Sequence, residues 1–220
     1  MDSRLPAGAY RLVIGMNPMM PAVLDELTPA GVPVVLAADV DPAGIPHGIH
    51  LVRGDPTQPA TMRAARPEGA QQALLAGTSD GDVLVSAVIL RKLAPQLPVT
   101  ALVSSASVRE ALRELGVQQA VSAQALISRT LAVSLETRHA GDMVSQLVSP
   151  NAHRLAEVPA ADSAVGRHLS AVRDAHPGLV LGIIHNGAFD LGIGDDPVVA
   201  AGDALLVAQP SGTNTRGFPA

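Results

Sequence analysis

Arg11-Leu12-Val13-Ile14-Gly15-Met16-Asn17-Pro18-Met19-Met20 is a short apolar run that ends in glycine and passes through Asn and Pro toward a helical pattern. Residues 11–15 read as a buried strand, because four to eight apolar residues bounded by a turn former suit a sheet interior. Residues 21–28 carry helical spacing at Val23, Leu24 and Leu27. Pro21 suits a first helical turn and Pro29 stops the helix. A second apolar run at 34–38 is closed by Asp39-Val40-Asp41-Pro42. Strand, helix and strand in such short order open a parallel crossover unit, since parallel neighbours need a long connection.

The same rhythm continues outward. Strands are expected at 49–53, 72–76, 99–103 and 119–121, and helices at 59–65, 79–93 and 108–115, the last stopped by Gly116. Strands alternating with helices predict an α/β fold, a doubly wound parallel sheet of Rossmann-like type, over residues 1–122. The rhythm then changes. Residues 123–138 form the longest helical pattern, with Leu126, Ile127, Leu131, Val133 and Leu135 spread widely around it, and 141–148 read as a second helix. This helix-turn-helix crossover, 123–150, has apolar surface to spare for a self-complementary dimer contact; a linker helix is the alternative. Residues 151–209 read as a small α+β C-terminal lobe: strands at 155–158, 180–185, 188–191 and 204–208, a helix at 166–176, and a hairpin turn at Asn186-Gly187. The tail, 210–220, is poor in apolar residues and reads as disordered.

Composition narrows the function. Hydrophobic residues make up 47% of 220, with one Tyr, two Phe and no Trp, so the core is built from Ala, Val, Leu and Ile and offers no aromatic platform for single-stranded nucleic acid. Fifteen Lys plus Arg against 20 Asp plus Glu, without a basic run, leaves no nucleic-acid footprint. The absence of Cys excludes disulfides, thiolate metal sites and Cys nucleophiles. The apolar runs fall far short of the ~20 residues of a membrane helix. Residues 1–10 lack the basic and apolar regions of a signal peptide.

Candidate chemistry lies in the loops that follow the strands. A dinucleotide fingerprint, G-x-G-x-x-G, uses its glycines for a tight turn, close pyrophosphate approach and helix packing. Here only Gly15 remains; Asn17 tolerates a left-handed turn, and Met20 stands where the third glycine would be, pushing the helix away or crowding phosphates. Met16, Met19 and Met20 together would fill the mouth of the sheet. Asp39, ending the second strand, is placed for a ribose hydroxyl. Asp55 follows the third strand and suits either a ligand contact or a cap for the helix near Thr57. Thr78, Ser79 and Asp80 sit at the next helix N-terminus. Gly77-Thr78-Ser79-Asp80-Gly81 also matches the G-x-S-x-G nucleophile pattern, with His185 as a later base, although a helix cap is the simpler use of Ser79. The histidines lack ligand spacing, so no metal site is expected. Asp195 and Asp196 read as solvated loop residues.

Four landmarks, in order, carry a family resemblance: Arg53-Gly54-Asp55-Pro56-Thr57, Ala76-Gly77-Thr78-Ser79-Asp80, the segment 115–122, and a set in the C-terminal lobe that includes Ala201-Gly202-Asp203-Ala204-Leu205. With them the chain resembles the RCK domain (regulator of potassium conductance, also TrkA-type or KTN), followed by a TrkA C-terminal lobe. The resemblance implies a cytosolic regulatory domain, not an enzyme, that binds a ligand and gates potassium movement through a channel or transporter of the Trk/Ktr type. It implies a homodimer assembling into a gating ring beside a membrane pore, at the inner face of the cell membrane. It implies a nucleotide such as NAD(H) or ATP/ADP near Gly15, Asn17, Asp39, Asp55, Thr78, Ser79 and Asp80. The calcium-binding carboxylates of some relatives correspond to Ala76, Leu102 and Ser104, so no calcium site is implied. The alternatives are an NAD-dependent oxidoreductase and a ligand-free structural ring scaffold.

Overall fold

The computed structural model describes residues 5–149 and 153–210, which fall into two compact units dividing at Ser128/Arg129. The expected tail beyond Pro210 and the first four residues lie outside the described residues.

In the first unit, β1 (Tyr10–Ile14), β2 (Val34–Ala38), β3 (Ile49–Arg53), β4 (Ala70–Leu75), β5 (Val99–Leu102) and β6 (Gln119–Val121) form one parallel sheet in the order β3-β2-β1-β4-β5-β6. The crossovers run through α1 (Met20–Leu27), α2 (Pro59–Ala64), α3 (Asp80–Leu93) and α4 (Ala106–Glu114). All five residues of β2 are buried, as a parallel strand covered on both faces requires. Side chains alternate between two cores. Leu12, Ile14, Val35, Ala37, Leu75 and Ala101 pack with Met62, Val83, Leu90 and Leu112 of α2, α3 and α4. Val13, Val34, Leu36 and Ala38 pack with Met20 and Leu24 of α1. The order reverses between β1 and β4, and in open α/β sheets that reversal leaves a crevice beyond the strand C-termini.

Met20 corrects an expectation. Its side chain is 1% exposed and lies in the α1-side core, so it neither plugs the mouth nor crowds a ligand. The same face is less fully covered over the far strands: Leu74 and Leu102 are half-buried and Val121 is exposed.

Two helices follow, α5 (Ala123–Glu136) and α6 (Ala140–Val148). None of the residues of α5 is buried, and Leu131 and Leu135 are 64% and 91% exposed.

The second unit is an antiparallel sheet, β7-β10-β8-β9, made by β7 (His153–Pro159), β8 (Leu179–His185), β9 (Ala188–Asp190) and β10 (Ala204–Pro210), with α7 (Leu169–Ala175) packed on it. Leu169, Val172, Val180, Ile183, Leu205 and Val207 form its core. β7 is longer than the expected 155–158 because it pairs with β10 along its whole length. The helix expected at 166–176 begins only at Leu169. Gly166 has φ +81°, outside helical space, and its amide bonds Val199 O. Asp196 is exposed, as expected, and also accepts from the amide and hydroxyl of Ser170, satisfying the first turn of α7.

Candidate functional site

A cleft of about 360 Å³ opens at the switch point. Its base is the C-terminal ends of β1, β2 and β4, through Ile14, Gly15, Ala38, Leu75 and Ala76; its walls are Asp55-Pro56-Thr57 and the first turns of α3. Gly15 makes the strands' approach possible. It has φ +88°, and a Cβ there would lie 2.5 Å from the carbonyl oxygen of Ala76. Only glycine suits both conditions.

Five of the seven expected site residues, Gly15, Asp39, Asp55, Thr78 and Ser79, stand at or beside this cleft, the last as the cap of its α3 wall. Asp39 lies 3.6 Å from the Arg53 guanidinium, both side chains largely exposed. Asp55 Oδ1 accepts from the amide and the hydroxyl of Thr57, at 2.8 and 2.7 Å. Those two bonds, the hydroxyl's first, hold its carboxyl below the usual carboxylate range. The arrangement is a turn ahead of α2, whose N-cap is Gln58, so Asp55 does not cap that helix.

Ser79 is the N-cap of α3. Its Oγ accepts from Asp82 N at 3.2 Å, and Asp82 Oδ2 accepts in return from Ser79 N at 3.1 Å, a capping box. Thr78 Oγ1 also donates to Asp82 Oδ2, at 2.6 Å. The Thr78 bond foremost, then the Ser79 bonds, lower the Asp82 carboxyl, while desolvation and, less, the negative charge of Asp55 oppose them. Ser79 thus serves as a cap, and no histidine lines the cleft among the described residues. Asp80 turns away: its two oxygens accept from the amides of Ser104 and Ser105, at 2.9 and 2.6 Å, tying α3 to the loop after β5.

Asn17 lines instead a second depression, with Met19, Thr78 and Ser104. The turn it belongs to tests the fit of a dinucleotide. Pro18 and Pro21 have no N–H, the Met19 amide donates to Asn17 Oδ1 at 2.9 Å, and the Met20 amide donates to Asn17 O at 3.0 Å. Four of the six positions from Met16 to Pro21 therefore offer no amide. A pyrophosphate held by this turn would find few of the donors such sites use.

Asp82 and Ser86 also line the cleft and were not among the site residues expected from sequence. Asp82 is half-buried with its carboxylate on the rim, and Ser86, on the next turn of α3, is 3% exposed. Among the described residues no group of three His, Cys, Asp or Glu side chains is placed to hold a metal ion.

Several solved structures share this architecture. The GsuK channel bound to NAD matches at 18% identity over 94% of this chain and 38% of its own, with a TM-score of 0.51. The TrkA-N domain of inner membrane protein ybaL from Escherichia coli matches at 17% identity over 60% of this chain and 99% of its own, TM-score 0.53. The human SLO3 gating ring matches at 10% identity over 90% of this chain and 44% of its own, TM-score 0.68. At these identities the likeness is one of fold, and the chain spans about two-fifths of the length of the channel. No curated protein matches the sequence. The sequence model of the TrkA-N domain matches residues 11–123, from β1 to the first residue of α5. Since that is just over half of the 220 residues and takes in the whole sheet with its cleft, the chain belongs to the TrkA-N domain family.

Proposed function

We propose that this chain is a ligand-sensing regulatory module of a potassium channel or transporter, acting as a dimer or a larger ring and not as an enzyme. The observation that carries the reading is α5. It follows directly on the TrkA-N domain, buries none of its residues, and exposes Leu126, Ile127, Leu131, Val133 and Leu135. An exposed apolar series of this kind marks an interaction surface. The incompletely covered sheet face at Leu74, Leu102 and Val121 offers a second copy a place to pack. The open cleft supports sensing over a ligand-free scaffold, and α5 supplies a route by which ligand binding would bias assembly. Among the described residues no helix is long and apolar enough to cross a membrane, so in this reading the pore lies elsewhere. No observation favours hydride transfer.

Light scattering on the whole chain at micromolar concentration is expected to give at least twice the 22.4 kDa chain mass. The double substitution Leu131→Asp, Leu135→Asp is expected to give the monomer with its far-UV spectrum intact. A monomeric wild-type chain would sink the proposal. The link to potassium is tested by rubidium uptake in cells with and without the gene; equal uptake under potassium limitation would remove it.

A further inference from the structure

Ser86 is a polar side chain in an apolar run, Val83-Leu84-Val85-Ser86-Ala87-Val88, and the helix turns it to the cleft. It is 3% exposed, yet its hydroxyl has no hydrogen-bond partner among the described residues; other helical hydroxyls find one, as Ser134 Oγ does at Thr130 O. Among the described residues no fully buried side-chain N or O lacks a partner, so the Ser86 hydroxyl keeps its sliver of exposure, toward the cleft it lines. Such a group takes its partner from outside the chain, either water in the open cleft or a ligand that displaces it.

The rim states what kind of ligand brings that partner. Asp39, Asp55 and Asp82 present three carboxylates, no Lys or Arg is among the lining residues, and Arg53 faces Asp39. Ionised carboxylates only accept hydrogen bonds, so the ligand must supply donors. The rim disfavours a phosphate, and the turn at Met16–Pro21 has few free amides to offset that repulsion. Ile14, Met16, Ala38 and Val83 add apolar lining, and the volume of about 360 Å³ sits at the low end of small-molecule sites, about 300–1,000 Å³. An acidic residue ending the second strand is the usual partner of a ribose diol in such sheets.

We propose that the cleft binds a ribonucleoside without phosphate, with Ser86 bonding the ligand at the floor and Asp39 accepting from the ribose hydroxyls. The inference rests on reading the cleft as the sensing site. It departs from that reading's expected NAD(H) or ATP/ADP, which the turn and the rim do not fit.

The test is calorimetric titration of the whole chain with the four common ribonucleosides, their 5′-mono- and diphosphates, and NAD. One nucleoside is expected to bind, its 5′-monophosphate at least tenfold more weakly, and the diphosphate and NAD more weakly still. Its 2′-deoxy form, and the Asp39→Asn chain, are each expected to lose about tenfold. Ser86→Ala is expected to weaken the nucleoside about tenfold while the thermal midpoint of the unliganded chain holds or rises, since an unpaired hydroxyl has gone. Affinity that rises with each phosphate would overturn the nucleoside assignment and leave the sensing cleft standing. No binding by any compound would overturn both, while the light-scattering result on self-association would stand apart. A fall in the unliganded midpoint of Ser86→Ala would show the hydroxyl to be structural and overturn its role as ligand partner.

Discussion

Gly15 is the residue on which the cleft depends. Its left-handed φ and the 2.5 Å separation from Ala76 O leave no room for a side chain. Gly15→Ala is expected to lower stability by about 3 kcal/mol, combining backbone strain of ~1–3 kcal/mol with the displacement of β4. Urea unfolding checks this; a loss under about 0.5 kcal/mol would mean that the strand ends part easily. Gly15, Asp39 and Asp55 were legible because each lies just beyond a strand, where loop position alone points to a site. Ser86 was not. In a sequence it is one small polar residue inside a helical run, and its meaning depends on which face α3 turns to the sheet. Met20 was misread for a related reason: its place in a glycine pattern suggested crowding, but its helical phase sends it into the core beside Leu24.

Among the elements, α3 shows how a local motif orders the site. Its capping box draws Thr78, Ser79 and Asp82 together at the cleft wall. Ser79→Ala removes the acceptor for the Asp82 amide and is expected to cost about 1 kcal/mol. The box also makes stability depend on acid. The Asp82 carboxyl is lowered in the folded chain, so the unfolded chain binds its proton more readily. The contribution is therefore complete above the ordinary aspartate value of 3.8 and fades as pH falls through the lower folded value. Urea midpoints between pH 5 and 3 should fall less steeply in Asp82→Asn than in the wild type; parallel slopes would show that the carboxylate has no such role. The cap was readable from Ser79 and the residues after it. The start of α7 was not, because Gly166 is held out of the helix by a bond to Val199 and the first turn is satisfied by Asp196, both distant in sequence from the helical pattern.

For the whole molecule, the alternation of strands and helices made the parallel sheet legible, since period and spacing alone prescribe it. The antiparallel sheet was legible as strands but not as an order: β7 pairs with β10 across more than forty residues, and no local signal encodes that. The two units have separate cores, one around the parallel sheet and one around Leu169, Ile183 and Leu205. Separate cores unfold as separate cooperative blocks when little holds them together. Two unfolding midpoints are expected, and far-UV dichroism, which sees both units, should not coincide with a probe confined to one; superimposed curves would show a single block. The chain carries that probe. Tyr10, its one tyrosine in the absence of any tryptophan, opens β1, with its ring buried and its hydroxyl donating to Ala65 O and Arg66 O. The protein's tyrosine emission is therefore the voice of the parallel sheet alone, and a C-terminal lobe that melted would leave it unchanged.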